Sequence, residues 1–192
     1  YNERLFHTVY LGGGTPTVYD PGRLGQLLDT VRRSLHVAPD AEISIEANPG
    51  TVSAQGLQFL REMGFNRLSL GVQSLDDAEL RLLGRRHSAE QAREAVAAAR
   101  AAGFDNLSLD LINCLPGQSP QAWQKTLDEV VFWNPEHVSC YGLSLEEGTP
   151  LQRQVSQDHL EPVREAVATE VYERTHRTLT AAGYEHYEIS NY

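Results

Sequence analysis

Three polar side chains stand where apolar ones are expected. Asp110 lies between Leu109 and Leu111, Glu46 closes the run Glu42-Ile43-Ser44-Ile45-Glu46, and Gln73 ends Arg67-Leu68-Ser69-Leu70-Gly71-Val72-Gln73. A carboxylate inside an apolar run is costly unless it is paired or hydrogen-bonded. Arg85, in the turn Arg85-Arg86-His87, adds a planar guanidinium that can grip two oxygens of one carboxylate. Taken singly, each has a plain reading: Asp110 as a carboxylate that caps a loop, Arg85 as part of a solvated basic turn. Taken together, they fit the binding of a small polar ligand.

The loop Gly12-Gly13-Gly14-Thr15-Pro16 follows an apolar run that reads as a buried strand. Glycine lets the backbone turn sharply and lets a ligand approach its N–H and C=O groups. Two phosphate motifs are excluded. A dinucleotide fingerprint needs glycine at Thr17, and a P-loop needs Gly-Lys-Ser/Thr after the glycines. Alone, the three glycines fit a tight strand-to-helix turn with no ligand.

The elements that carry these residues alternate. Strands are predicted at 6–11, 42–46, 67–73, 106–112 and 137–145, with a sixth starting over 184–189. Helices open at Asp20-Pro21 and Ser119-Pro120, each a cap followed by proline. Others end at Gly64, Gly84 and Gly103, and a last one spans 162–182. Ser88 and Gln91 read as a capping box. The stretch 146–161 is polar and poorly patterned. One junction recurs three times: Met63-Gly64-Phe65-Asn66, Ala102-Gly103-Phe104-Asp105 and Ala182-Gly183-Tyr184-Glu185. No hairpin signal interrupts the series, so the strands are expected to be parallel with helical crossovers, in units of roughly 25–40 residues. A barrel or part-barrel is favoured, with an open doubly wound sheet as the alternative.

In such folds ligands sit at the carboxyl ends of the strands. Those ends offer Gly12, Gly13, Gly14 and Thr15, then Glu46, then Gln73, then Asp110 with Asn113, then Ser144 with Glu146. His7, His36, His137, His176 and His186 have no ligand-like spacing, and no nucleophilic triad order is persuasive.

Composition narrows the classes. With 192 residues, 41% of them hydrophobic, the chain fits one domain with a real core. A net charge of −10 argues against a nucleic-acid groove. No apolar run spans a bilayer and no secretory signal is visible, so a cytoplasmic setting is expected. The two cysteines, Cys114 and Cys140, read as reduced core residues, and no metal site follows from their spacing. Tyr1 stands first, mid-strand, which points to a piece of a longer protein.

Six stretches carry a family resemblance. They are Leu11-Gly-Gly-Gly-Thr-Pro-Thr17, Glu42-Ile-Ser-Ile-Glu-Ala-Asn-Pro-Gly50, Asn66-Arg-Leu-Ser-Leu-Gly-Val-Gln-Ser74, Leu83-Gly-Arg-Arg-His-Ser88, Leu109-Asp-Leu-Ile112 with Leu115-Pro-Gly-Gln118, and His186-Tyr-Glu-Ile-Ser-Asn-Tyr192. The chain resembles the radical S-adenosylmethionine (SAM) superfamily, in the branch that holds oxygen-independent coproporphyrinogen III oxidase and a related heme chaperone. The resemblance implies an α/β fold, a partial (β/α)6 TIM-like barrel. Residues 1–192 would be its core, without the first strand and without the C-terminal domain. It implies SAM along Gly13, Gly14 and Thr15, with Glu46, Gln73, Arg85, Asp110 and Ser144 as further cofactor-binding residues. It also implies a [4Fe–4S] cluster, heme or porphyrin as ligand, and heme-acceptor proteins as partners. A sulfonium ligand of this kind has an ammonium and ribose hydroxyls that want acceptors, and a carboxylate that wants a guanidinium.

Two departures stand out. The family's Cys-x-x-x-Cys-x-x-Cys motif is absent, so this segment is not expected to hold the cluster alone. Asn113-Cys114 stands where the family has an aromatic residue and glycine. Three functions are carried forward: a heme chaperone, the oxidase that decarboxylates coproporphyrinogen, and a different barrel with a phosphate or sugar rim. Glu46-Ala47-Asn48-Pro49-Gly50 and Glu188-Ile189-Ser190-Asn191-Tyr192 look like the chaperone pattern rather than the oxidase's.

Overall fold

Three helix starts follow the cap-and-proline pattern in the computed structural model, which describes residues 4–157 and 159–192. Asp20 caps α1 (Pro21–Ser34), its carboxylate accepting from the Arg23 amide at 3.3 Å. Ser119 caps α5 (Pro120–Trp133), accepting from the Ala122 amide at 3.1 Å. Proline at the first turn sacrifices only an amide that has no helical partner. Thr149-Pro150 repeats the pattern and opens α6 (Pro150–Ser156), inside the stretch expected to be irregular. Ser53 caps α2 (Ala54–Glu62) and Asp76 caps α3 (Asp77–Leu82). α4 (Ala89–Ala101) follows, and α7 (Glu165–Ala181) starts three residues later than predicted because Arg164 is still extended.

Helix ends repeat one device. At Gly64, Gly84, Gly103 and Gly183, φ is 97°, 67°, 86° and 97°. In each case the next residue's amide reaches back five residues: Phe65 to Leu60 O, Arg85 to Leu80 O, Phe104 to Ala99 O and Tyr184 to Leu179 O, at 2.8–3.1 Å. This is the left-handed glycine cap that satisfies a helix's last carbonyls. Three copies deliver an aromatic residue, Phe65 and Phe104 ahead of strands and Tyr184 ahead of the C-terminal stretch. The fourth delivers Arg85.

Five parallel strands lie in the order β1 (Leu5–Leu11), β2 (His36–Ala47), β3 (Arg67–Gln73), β4 (Leu107–Asn113) and β5 (His137–Gly142). A doubly wound sheet reverses its strand order at a switch point. This order has no reversal, so the open-sheet alternative falls.

Four expectations need correction. β1 is not buried: it is an edge strand, with Leu5 and Tyr10 exposed. β2 starts six residues early, at His36. Its register with β1 jumps between Phe6↔Val37 and Thr8↔Glu42, and Pro39, which lacks an amide to donate, sits in that irregularity. β5 stops at Gly142, so Ser144 lies past the strand and exposed. The stretch 184–189 forms no strand. Residues 190–192 instead make an antiparallel bridge to β5, with Val138 and Tyr192 exchanging two backbone bonds at 3.0 Å.

The chain divides into two compact units. The first comprises the described residues up to Gly71 together with Glu90–Ser108. Its core is mainly apolar: Leu28, Ile45, Leu57, Phe65 and Leu68 are fully buried, and α4 contributes the small buried face of Ala92, Ala95 and Ala99. Each large aliphatic buried this way contributes about 1.5–3 kcal/mol. Asn66 ties the α2–β3 junction to β2, accepting from Ile43 N–H at 2.7 Å and donating to Ala41 O at 2.9 Å.

The second comprises Val72–Ala89 and the described part of Leu109–Tyr192. α5 packs on α7 here, around a fully buried Trp123. The Trp123 indole N–H donates to Thr175 Oγ1 at 2.7 Å, and that hydroxyl donates to Val171 O at 2.8 Å. A buried indole usually needs such a partner.

Candidate functional site

In the first unit the glycine loop and the end of β2 meet at one carboxylate. The Tyr10 hydroxyl donates to Glu46 Oε1 at 2.5 Å, and the Gly13 amide donates to Glu46 Oε2 at 3.0 Å. Gly13 has φ 126°, a conformation that favours glycine. Gly12 is closely packed as well: a Cβ there would stand 2.5 Å from Tyr10 Cε1 and 2.9 Å from Glu46 Oε1. Thr15 Oγ1 donates to Gly14 O at 2.7 Å and accepts from Asn48 Nδ2 at 2.7 Å. The Thr17 and Thr51 hydroxyls are 2.7 Å apart. The loops after β1 and β2 are therefore fastened by a series of polar contacts, and Gly13, Gly14, Thr15 and Glu46 are brought together.

In the second unit the ends of β3 and β4 carry the other residues. Gln73 is half-buried and has φ 67°, in the left-handed region. Arg85 is half-buried, and burial lowers its pKa from the usual arginine value. Asp110 is half-buried between two fully buried leucines. Cys114, just past β4, has φ 58°, and burial raises its thiol pKa, which disfavours the reactive thiolate. Ser144, two residues beyond β5, is exposed.

Three residues with a part in this arrangement escaped the sequence reading. Tyr10 sits in a strand that read as buried, yet strand alternation puts it on the same face as Gly12, and that was the available signal. Asn48 looked like part of a turn. His87 looked solvated beside Arg85 and Arg86, but it is only 6% exposed.

The donor set in the first unit fits the methionyl end of SAM: a fixed carboxylate and loop carbonyls are acceptors for an ammonium. The cluster is different. Among the described residues no group of three His, Cys, Asp or Glu side chains could hold a metal ion, and Cys114 and Cys140 are free thiols.

The family model of the radical SAM superfamily matches residues 1–130. The chain belongs to the radical SAM superfamily. Membership implies SAM and a [4Fe–4S] cluster as cofactors. The chain is 40% identical over 189 residues to the mitochondrial radical S-adenosyl methionine domain-containing protein 1 of Bos taurus, covering 98% of this chain and 43% of that protein. It is 41% identical over 186 residues to the heme chaperone HemW of Mycobacterium tuberculosis, covering 97% of this chain and 48% of that protein. Among solved structures it is similar to coproporphyrinogen III oxidase (HemN) from Escherichia coli, a radical SAM enzyme. The TM-score there is 0.88 at 30% identity, over 99% of this chain and 44% of that one. The chain thus spans a little under half the length of the curated relatives it matches. The expected fold, an α/β partial barrel of the radical SAM type, is borne out. Of the three functions carried forward, the unrelated phosphate or sugar barrel does not survive this membership.

Proposed function

We propose that the parent protein is a heme chaperone on a radical SAM scaffold, and that this segment supplies its SAM-binding residues. The observation that carries the SAM reading is the Glu46 carboxylate, oriented by Tyr10 and Gly13 beside the glycine loop. An ammonium resting against Gly13, Gly14 and Thr15 would meet that carboxylate. Gln73, Asp110 and Ser144 would serve the ribose and adenine side, and Arg85 the carboxylate of SAM. When bound, SAM and its cluster supply radical chemistry; this chain's residues orient the ligand and exclude water.

The chaperone reading is favoured by identity, 41% to a heme chaperone against 30% to the oxidase. The oxidase is the second reading, because its structure matches with a TM-score of 0.88. Heme, heme-acceptor proteins and a cytoplasmic setting belong to the chaperone proposal. No described helix is long and apolar enough to cross a membrane. The experiment gives full-length, cluster-loaded protein heme and coproporphyrinogen III in parallel, anaerobically with SAM and a reductant. Saturable heme binding without porphyrinogen conversion is expected. Robust decarboxylation would replace the chaperone with the oxidase. In the same protein Arg85→Ala and Asp110→Ala should each weaken SAM binding, and wild-type affinity in both would sink the site assignment.

A further inference from the structure

The Val72 carbonyl accepts two donors that come from different directions. The Ser74 amide reaches it at 2.8 Å, and His87 Nε2 reaches it at 3.0 Å. The first bond closes a three-residue turn around Gln73, whose φ is 67°. A γ-turn with positive φ is rare and strained for any residue with a Cβ. Strain of this kind persists only where the surroundings over-determine it. Here they do. On one side Ser74 Oγ donates to Glu79 Oε2 at 2.5 Å and accepts from the Asp76 amide at 3.1 Å. On the other side stands the His87 imidazole, 6% exposed.

His87 also lies two residues beyond Arg85. The Arg85 backbone is fixed separately, because its amide closes the glycine cap of α3 on Leu80 O. One side chain thus links the strand end that bears Gln73 to the turn that bears Arg85.

We propose that His87 is a positioning residue of the SAM site, which holds Gln73 and Arg85 in place by clamping the Val72 carbonyl. This rests on the reading of Gln73 and Arg85 as SAM contacts. The role needs a donor at the tip of a planar side chain that tolerates burial. A carbonyl only accepts, so the proton sits on Nε2, which fixes the tautomer. The role also needs a neutral group. Burial, against the opposing bond to Val72, and the neighbouring Arg85 charge lower the His87 pKa, which favours the neutral ring that this bond uses.

The competing explanation is a histidine that merely fills the core. Two variants separate them in full-length, cluster-loaded protein. His87→Leu keeps the volume and removes the donor; His87→Gln keeps a donor of similar reach. SAM affinity is measured by calorimetry and folding by thermal melting. We expect His87→Leu to remain folded and to bind SAM about three- to tenfold more weakly, the scale of one lost hydrogen bond. His87→Gln should recover most of that loss. A core-filling role would give the reverse order, and wild-type affinity in His87→Leu overturns the proposal. Should His87→Leu fail to fold, His87→Asn, too short to reach Val72, takes its place against His87→Gln: a loss only in Asn supports the clamp, and equal affinities overturn it. Arg85→Ala and Asp110→Ala run in the same series. If they keep wild-type affinity, the SAM reading itself falls. If they lose it while His87→Leu does not, only the positioning role falls.

Discussion

The Tyr10 hydroxyl donates to Glu46 Oε1 at 2.5 Å, so a side chain of the edge strand orients a carboxylate 36 residues away. Gly13 holds the other oxygen, and Glu46 keeps one partner when Tyr10 is removed. Tyr10→Phe should therefore loosen the carboxylate without freeing it. We expect a three- to tenfold loss of SAM affinity, on the order of one hydrogen bond. Stability should change by less than about 1 kcal/mol, because the pair is exposed to water. Calorimetry with SAM and thermal melts of the same samples check both halves.

Gly12→Ala should be more damaging. Its Cβ would press on Tyr10 and Glu46 together, whereas a Cβ on Gly14 meets nothing within 4 Å. Moving those side-chain ends aside breaks the hydrogen bond between them, which costs about 0.5–1.5 kcal/mol. Melting points of the two alanine variants should differ accordingly, with Gly14→Ala near wild type in stability.

Cys114 holds a left-handed backbone that costs a residue with a Cβ about 1–2 kcal/mol. Cys114→Gly should be more stable than Cys114→Ala by about 1 kcal/mol, since both lose the thiol and only glycine relieves the backbone. Denaturant midpoints give the comparison. Equal midpoints would mean the conformation carries no strain.

Stability should fall on mild acidification. The His87 pKa is lowered in the folded state from its ordinary 6.5, chiefly by burial. Between the two values the unfolded chain binds the extra proton, so stability rises with pH across that window. It is fully present above 6.5 and is lost as pH falls through the window toward the lowered value. Unfolding free energies measured at descending pH should show this slope in the wild type and a shallower one in His87→Gln.

Thr175→Val removes the acceptor of a buried indole N–H while keeping the shape of the side chain. Leaving Trp123 unsatisfied should cost about 1–3 kcal/mol. The loss should appear as a lower denaturation midpoint, with SAM affinity of the folded protein unchanged.

Much of this was legible in the residues. Glu46, Gln73 and Asp110 announced themselves because each is polar in an apolar run, and each sits within or at the end of a strand. The glycine junctions were legible because left-handed caps demand glycine. What escaped depends on partners distant in the chain. Tyr10 matters through Glu46, and Asn48 through Thr15. His87 matters through a carbonyl 15 residues back, and its basic neighbours disguised it as surface. The start of β2 was hidden by Ala38-Pro39-Asp40, which reads as a turn locally but lies in an irregularity of a longer strand. The last stretch has a strand-like pattern that fits a sixth parallel strand; only pairing with β5 sets its direction.

The γ-turn at Gln73 gives the end of β3 a built-in gauge. Its closing amide, Ser74 N–H, is bonded to Val72 O, and Ser74 is only 1% exposed. That proton can exchange with solvent deuterium only when the turn opens, so its exchange rate reports the opening free energy of this corner. The reading needs no SAM, no cluster and no heme. A substitution anywhere in the chain that quickens exchange at Ser74, while leaving the core amides slow, has disturbed this corner before any ligand is added.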